Sequence, residues 1–178
     1  AKVLGSDISS KKNILSHSWE LMHTHHIAIE TGINSNQIFD SDLWIISPGI
    51  SKKSKIIKKA QKQNIPIVSE IEFASWFTKS KIVAITGSNG KTTTSNILLK
   101  MCTTKRINGI IAGNMGIPFS ECVLDELLNQ DSQRLYILEI SSFQMEFIKH
   151  FSPDIALYTN ISEDHLDRHG SMKEYFDM

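Results

Sequence analysis

The chain has 178 residues, 40% of them hydrophobic, which is enough for one large or two small domains with packed cores. Its 19 basic and 19 acidic residues cancel, so no excess charge indicates binding to nucleic acid or to an anionic membrane. Two cysteines without metal-ligand spacing, no apolar run near the ~18 residues of a membrane span and no signal peptide predict a soluble, cytoplasmic protein with reduced thiols.

Short apolar runs alternate with amphipathic stretches of helix length. The runs predict strands at 2–6, 25–30, 43–47, 65–68, 81–86, 109–112, 135–140 and 154–159. The stretches predict helices at 52–63, 70–78, 91–102, 117–129 and 142–149, with a last helical segment at 171–177. This alternation is typical of an α/β fold with a mostly parallel sheet and helices on its faces. A junction at 79–81 predicts two units, 1–80 and 81–178.

Two groups of basic side chains have ordinary structural interpretations. Six lysines between 52 and 62 flank two isoleucines at helical spacing, which favours a solvated helix face. His23, His25 and His26 have no nearby acid or cysteine, so exposed or half-buried histidines are favoured over a metal site.

The most informative segment is 84–94, A-I-T-G-S-N-G-K-T-T-T, which follows a predicted strand and precedes a predicted helix. Backbone N–H groups in such a turn point into one concavity, at a helix N-terminus that favours anions. Lys91 would supply charge to the β- and γ-phosphates, and the Thr92 hydroxyl would ligate Mg²⁺. The alternative is a glycine-containing turn with an exposed lysine. We predict ATP binding by Gly87, Ser88, Asn89, Gly90, Lys91, Thr92 and Thr93.

Other chemistry follows the ends of neighbouring predicted strands, where ligands of parallel sheets bind. Glu139 closes the run 135–140 and is a candidate Mg²⁺ ligand beside Thr92. His165 lies in the dense polar segment 160–169 and is a candidate for a second metal or for orienting substrate. Asp164 and Asp167 are either part of that cluster or helix N-caps and partners of Arg168, while His169 is treated as structural. Asn114, in a G-N-M-G turn, could offer its amide to a substrate.

Four strings carry a family resemblance: T-G-S-N-G-K-T-T at 86–93, G-N-M-G at 113–116, E-I-S-S-F-Q at 139–144 and D-H-L-D-R-H at 164–169. In this order they resemble the Mur ligase family, whose phosphate loop has a shortened T-G-x-N-G-K-T form. The strings at 139–144 and 164–169, with S-P-G at 47–49, are similar to the members that add D-glutamate to UDP-N-acetylmuramoyl-L-alanine. Glu163 departs from the proline common at its position.

The resemblance implies a three-domain, ATP-dependent ligase of peptidoglycan precursor synthesis, active as a monomer. In such an enzyme a substrate carboxylate attacks ATP to give an acyl phosphate, which the amine of D-glutamate then displaces. We expect the chain to be a fragment: an incomplete Rossmann-like UDP-sugar-binding domain at 1–80 and an incomplete central ATPase domain at 81–178. The family's carbamylated lysine would fall one position after Met178. We expect this polypeptide to bind ligands without turnover.

The resemblance also implies roles for individual residues. Lys91 would contact the γ-phosphate, Thr92 and Glu139 would hold one Mg²⁺, and His165 would bind a second. The muramoyl-alanine end of the substrate would lie along Asn114, Ser141 and Gln144. The pocket for the uridine nucleotide would be lined by Asp7, Ile8, Ser9 and Gly49. Ser9 replaces a residue that is often arginine in the family.

Two other functions compete with this assignment. A related ligase would add a different amino acid or extend folate with glutamate, and the strings at 139–144 and 164–169 argue against it. A nucleotide-binding module that ligates nothing would be expected to lack Glu139 or His165, and both are present.

Overall fold

The computed structural model describes residues 1–10, 16–130, 133–163 and 170–176. All the predicted strands are present, as β1 (Leu4–Asp7), β2 (Ala28–Thr31), β3 (Trp44–Ile46), β4 (Ile67–Ser69), β5 (Lys81–Thr86), β6 (Gly109–Gly113), β7 (Leu135–Glu139) and β8 (Ile155–Tyr158). The helices are α1 (Ser16–Thr24), α2 (Lys55–Lys62), α3 (Glu70–Ser75), α4 (Lys91–Thr104), α5 (Phe119–Asn129), α6 (Ser142–Met145) and α7 (Met172–Phe176). A 3-10 helix spans Asn36–Asp40.

Every strand pairing among these elements is parallel, which confirms the predicted α/β class. β1 pairs with β2, β3 pairs with β4, and a four-stranded sheet has the order β6-β7-β5-β8. In the larger sheet Glu139 is in register with Ile85 on one side and with Gly113 on the other. Since the strands run the same way, the residues that follow β5, β6 and β7 meet at one edge.

The four-stranded sheet is covered on both faces, because side chains alternate along each strand. Ile82 and Ala84 of β5 point to one face and pack with residues of α3 and α5. Val83 and Ile85 point to the other face, where Leu98 and Leu99 of α4 cover them. β5, the strand before the predicted phosphate loop, is therefore fixed from both sides, which positions the start of α4.

A second cluster joins β3, β4 and α2. Ile57 and Ala60 are the buried side chains of α2, and Ser54 caps the helix by accepting a hydrogen bond from the Ile57 amide. This cap explains why the helix begins at Lys55 rather than at 52. The lysines at 55, 58, 59 and 62 form the expected exposed face of α2, whereas those at 52 and 53 are exposed in the turn that precedes the helix.

Two short elements were not predicted, α1 and the 3-10 helix. The predicted strand 25–30 begins only at Ala28, because the chain first leaves α1 through a tight turn. There the His25 amide donates to Leu21 O, and His26 has a φ of 53°. Among the helices of the described ranges, none is both long and apolar enough to cross a membrane.

Candidate nucleotide site

The site begins where β5 passes into α4. Gly90 is the N-cap of α4 and has a φ of 86°, a left-handed conformation that favours glycine. No side chain caps the helix by a hydrogen bond. The first amides of an α-helix have no acceptor within the helix, so those of Lys91, Thr92 and Thr93 form an uncapped, anion-favouring end.

The side chain of Lys91 folds back over the loop that precedes it. Its Nζ atom donates to Gly87 O over 2.6 Å and to Ser88 O over 3.1 Å. The only formal positive charge of segment 84–94 therefore lies over the loop and not in solvent. This is where the sequence predicts that phosphate oxygens bind.

Three predicted residues from separate elements meet beside the start of α4. The hydroxyl of Thr92 donates to Glu139 Oε2 over 2.9 Å, and the amide of Asn114 donates to Glu139 Oε1 over 3.3 Å. The Asn114 backbone amide also donates to Glu139 O over 2.7 Å. Glu139 is only 2% exposed. The loop after β6 and the start of α4 thus converge on one buried carboxylate at the end of β7.

The donor set suits a hard cation. A hydroxyl oxygen and a carboxylate lie within one hydrogen bond of each other, and Mg²⁺ prefers one or two such protein oxygens completed by phosphates and water. In the ranges described above, no cluster of three or more His, Cys, Asp or Glu side chains could hold a metal by itself. The predicted second ligand, His165, lies outside the described residues, as do Asp164, Asp167, Arg168 and His169.

The loop is not as open as the sequence predicts. The backbone amides of Ser88 and Asn89 donate to Asn160, to its carbonyl oxygen over 2.9 Å and to its Oδ1 over 3.0 Å. In this conformation the free donors are therefore expected at the helix end, from Gly90 onward. Asn160 has no role in the sequence predictions, although its position just after β8 places it at the edge of the sheet where β5 and β7 also end.

Ser141 and Gln144 follow Glu139 directly and build the first turn of α6. Gln144 Oε1 accepts from the Ser141 amide over 3.0 Å and from the Ser141 hydroxyl over 3.2 Å. Gln144 is 6% exposed. These residues cap α6 beside the buried carboxylate, and a role in substrate binding stays a prediction.

The predicted uridine residues lie in the smaller sheets. Asp7 ends β1 and accepts from the Ser9 amide over 2.7 Å, next to the exposed Ile8, while Gly49 lies in the turn after β3. Glu30, the penultimate residue of β2 and the register partner of Ser6, lies one step from Asp7 and has no role in the sequence predictions. Hydrogen bonds from Ser35 and Ser6 hold the pKa of the Glu30 carboxyl below its ordinary value.

Two family models match this chain. Residues 85–178 match the family model of the Mur ligase middle domain, and residues 5–56 match that of the MurD N-terminal domain. The chain belongs to the Mur ligase family. The match to the Mur ligase middle domain contains the phosphate loop, Asn114, Glu139 and Asn160.

Two curated relatives show the extent of the likeness. A UDP-N-acetylmuramoylalanine--D-glutamate ligase of Chloroherpeton thalassium is 42% identical over 159 residues, covering 86% of this chain and 33% of that protein. One of Koribacter versatilis is 40% identical over 176 residues, covering 98% of this chain and 38% of that protein. The chain thus spans about a third of the length of these Mur ligases.

Among solved structures, a pseudomurein peptide ligase type C from Methanothermus fervidus aligns with 98% of this chain and 36% of that chain. The identity is 20% and the TM-score 0.42, too low to add to the argument.

Proposed function

We propose that this chain forms the nucleotide-binding and UDP-sugar-binding part of an ATP-dependent ligase that adds D-glutamate to UDP-N-acetylmuramoyl-L-alanine. The observation that carries the proposal is the hydrogen bond between Thr92 and the buried Glu139, beside an uncapped helix end. The names of the relatives supply the substrates, since both are UDP-N-acetylmuramoylalanine--D-glutamate ligases.

In this proposal the start of α4 holds the phosphates of ATP. The amides at Gly90–Thr93 donate to phosphate oxygens, and the helix dipole adds to the attraction. Lys91 exchanges its two loop carbonyl acceptors for phosphate oxygens, so its ammonium group neutralises charge that develops on the transferring phosphoryl group. The loop residues Gly87, Ser88 and Asn89 form the wall of this phosphate-binding site.

The oxygens of Thr92 and Glu139 would hold the magnesium ion of the nucleotide. When bound, Mg²⁺ supplies charge neutralisation to the phosphates. The chain's own part is to keep the two oxygens together, and burial of Glu139 does this by leaving its carboxylate little freedom. Asn114 holds the other carboxylate oxygen and thereby orients the group.

The reaction we propose is transfer of the γ-phosphoryl group to the substrate carboxylate, followed by attack of the D-glutamate amine on the acyl phosphate. Asn114, Ser141 and Gln144 lie on the segments around Glu139, where the reacting end of the substrate would be oriented. Asp7, Ile8, Ser9 and Gly49 would hold the uridine nucleotide from the smaller sheets.

The test of the nucleotide site is calorimetric titration of the 178-residue chain with Mg-ATP. We expect Lys91→Ala to abolish detectable binding while the circular dichroism spectrum and thermal midpoint stay those of wild type. Lys105→Ala, which removes an exposed lysine just after α4, is the matched control and should bind normally. Equal affinity of Lys91→Ala and wild type would overturn the site.

The test of the substrates needs a protein of the relatives' full length. It is assayed for phosphate release and ligation with UDP-N-acetylmuramoyl-L-alanine and each of D-glutamate, L-alanine, L-lysine and meso-diaminopimelate. We expect activity with D-glutamate, and the 178-residue chain to bind Mg-ATP without ligation. Activity with another amino acid alone would assign the chain to a different ligase of the family. Binding without any ligation would favour a nucleotide-binding module.

A further inference from the structure

We propose that Asn160 is a positioning residue of the phosphate loop. It holds residues 87–89 in the conformation that presents the first amides of α4 to the nucleotide. The inference rests on the proposed function of the loop, but it concerns a residue to which neither the motif nor the relatives' names give a role.

The side chain of Asn160 pairs with the backbone of Asn89 as a neighbouring strand would. Its Oδ1 accepts from the Asn89 amide over 3.0 Å, and its Nδ2 donates to Asn89 O over 2.9 Å. A carboxamide presents a carbonyl acceptor and an N–H donor side by side, as the C=O and N–H of a single residue do in a β-ladder. Aspartate has the same shape but cannot donate, and alanine offers neither group.

These contacts continue the β5–β8 ladder beyond the two strands. Tyr158 is the last residue of β8 in register, opposite Thr86. The Thr159 amide then donates to Thr86 O over 3.0 Å, and the Ser88 amide donates to Asn160 O over 2.9 Å. The side-chain pair with Asn89 is the next step of the same series. The phosphate loop is thus held by an extension of the sheet, built partly from a side chain.

The packing around Gly87 independently shows that the loop and residues 159–160 lie close together. Gly87 has a φ of 129°, and a Cβ atom placed on it would lie 2.8 Å from Asn160 O and would also collide with the Thr159 hydroxyl. A side chain at position 87 would therefore push residues 159–160 away from the loop. Only glycine permits this contact.

The consequence is preorganisation. Because the amides of Ser88 and Asn89 already have acceptors, the loop is ordered before ligand arrives, and binding does not include the entropy of ordering it. Without the Asn160 side chain, the Asn89 amide loses its acceptor and Asn89 O loses one of its donors. The Thr159 hydroxyl still donates to Asn89 O over 2.7 Å, and Lys91 still donates to Gly87 O and Ser88 O. The loop then samples other conformations, and the affinity for nucleotide falls by the fraction of time it spends in them.

The experiment compares Asn160→Ala and Asn160→Asp with wild type and with Asn129→Ala, whose amide donates to Asp125 on the exposed face of α5. Hydrogen exchange of peptides covering 86–92 is measured without ligand, and the Kd for Mg-ATP is measured by calorimetry. We expect about tenfold faster exchange in this segment and about tenfold weaker binding for Asn160→Ala, with Asn129→Ala like wild type. Asn160→Asp should also exchange faster, and it carries the test if the alanine variant does not fold.

Unchanged exchange at 86–92 in the Asn160 variants would show that the side chain does not hold the loop. Faster exchange with an unchanged or lower Kd would show that the held conformation is not the binding one. Either result overturns the proposal. If wild type itself does not bind Mg-ATP, the proposed function fails, and the exchange data still decide whether Asn160 holds the loop.

Discussion

The carboxylate of Glu72 on α3 accepts a hydrogen bond from the backbone amide of Phe151 over 2.8 Å. The same oxygen accepts from the amides of Lys149 and His150, each over 2.9 Å, and the other oxygen accepts from the Trp76 indole over 2.9 Å. Glu72 has no exposed surface. A buried carboxylate thus joins a helix that precedes the predicted domain junction to the loop that leads into β8.

We expect Glu72→Gln to lower the free energy of unfolding by about 2 kcal/mol, the scale for hydrogen bonds to a buried charged group. Glutamine keeps the shape, but its NH2 group must face either the indole N–H or the three backbone N–H donors. Urea denaturation followed by circular dichroism measures the change. Glu20→Gln, on the exposed side of α1, is the matched control and should change stability by less than about 0.5 kcal/mol. Equal stability of the two variants would contradict the assignment.

The same carboxylate predicts a pH dependence of stability. Burial raises the pKa of Glu72, but the hydrogen bonds from the three amides and the indole outweigh this effect. The net result is a pKa lowered from 4.5 to about 2. A folded-state pKa below the unfolded one means that the contribution is full above about pH 4.5 and is lost as the pH falls toward about 2. The stability difference between wild type and Glu72→Gln should therefore shrink between about pH 5 and pH 3 in urea denaturations. A difference that stays constant over this range would show that the charge of Glu72 is not the stabilising feature.

The arrangement of the candidate nucleotide site could be predicted from the sequence because its parts obey local rules. A β-run, a glycine turn and a helix fix the place of Lys91 and Thr92, and the end of a second β-run fixes Glu139. Parallel strands then bring the two ends to one edge, and the Thr92–Glu139 hydrogen bond confirms that step. This prediction required only the position and direction of each strand, and it did not require knowing which strands pair.

The contacts that join distant segments could not be predicted in this way. Glu72 and Phe151 are 79 positions apart, and Asn89 and Asn160 are 71 apart. No periodicity marks such pairs, since each depends on how a loop packs once the sheet has formed. Tertiary packing settled these contacts, and propensity did not. The late start of β2 has a local cause instead, the left-handed turn at His26.

Another buried carboxylate, that of Glu126, allows a test at the opposite end of the sheet. Glu126 Oε2 accepts from the Tyr136 hydroxyl over 2.8 Å and from the Thr78 hydroxyl over 2.6 Å, while Oε1 accepts from Ser80 over 2.9 Å. Burial and the neighbouring Glu126 raise the pKa of the fully buried Tyr136, so its hydroxyl remains a donor. The Glu126 carboxylate thus joins Thr78 and Ser80, which lie beside the predicted junction, to α5.

Tyr136→Phe should lower the free energy of unfolding by about 1–2 kcal/mol, because it removes one of the donors to a buried carboxylate. Tyr158→Phe is the matched control, since that side chain is 55% exposed and its loss of a hydroxyl should have little effect. Urea denaturation at neutral pH measures both. If Tyr136→Phe is no less stable than Tyr158→Phe, the hydrogen bond from the Tyr136 hydroxyl to Glu126 does not stabilise the fold.

The magnesium assignment is tested by Thr92→Val, which keeps the shape of the side chain and removes the hydroxyl that contacts Glu139. In wild type, Mg²⁺ should strengthen ATP binding, and in Thr92→Val we expect this gain to fall about tenfold, since one of the proposed protein ligands is lost. Thr92→Ser restores the hydroxyl and should restore the gain. Titration calorimetry with ATP, with and without Mg²⁺, measures each value.

The control for this experiment lies on the same helix. Thr104 ends α4 and donates its hydroxyl only to Lys100 O over 2.9 Å among the contacts described, so Thr104→Val repeats the chemical change away from the site. It should leave the magnesium-dependent gain unchanged. If Thr92→Val also leaves it unchanged, the hydroxyl serves Glu139 as a structural donor only, and the cation must be held by other oxygens. If both variants lose the gain, the cause is a change in α4 itself and the ligand assignment fails.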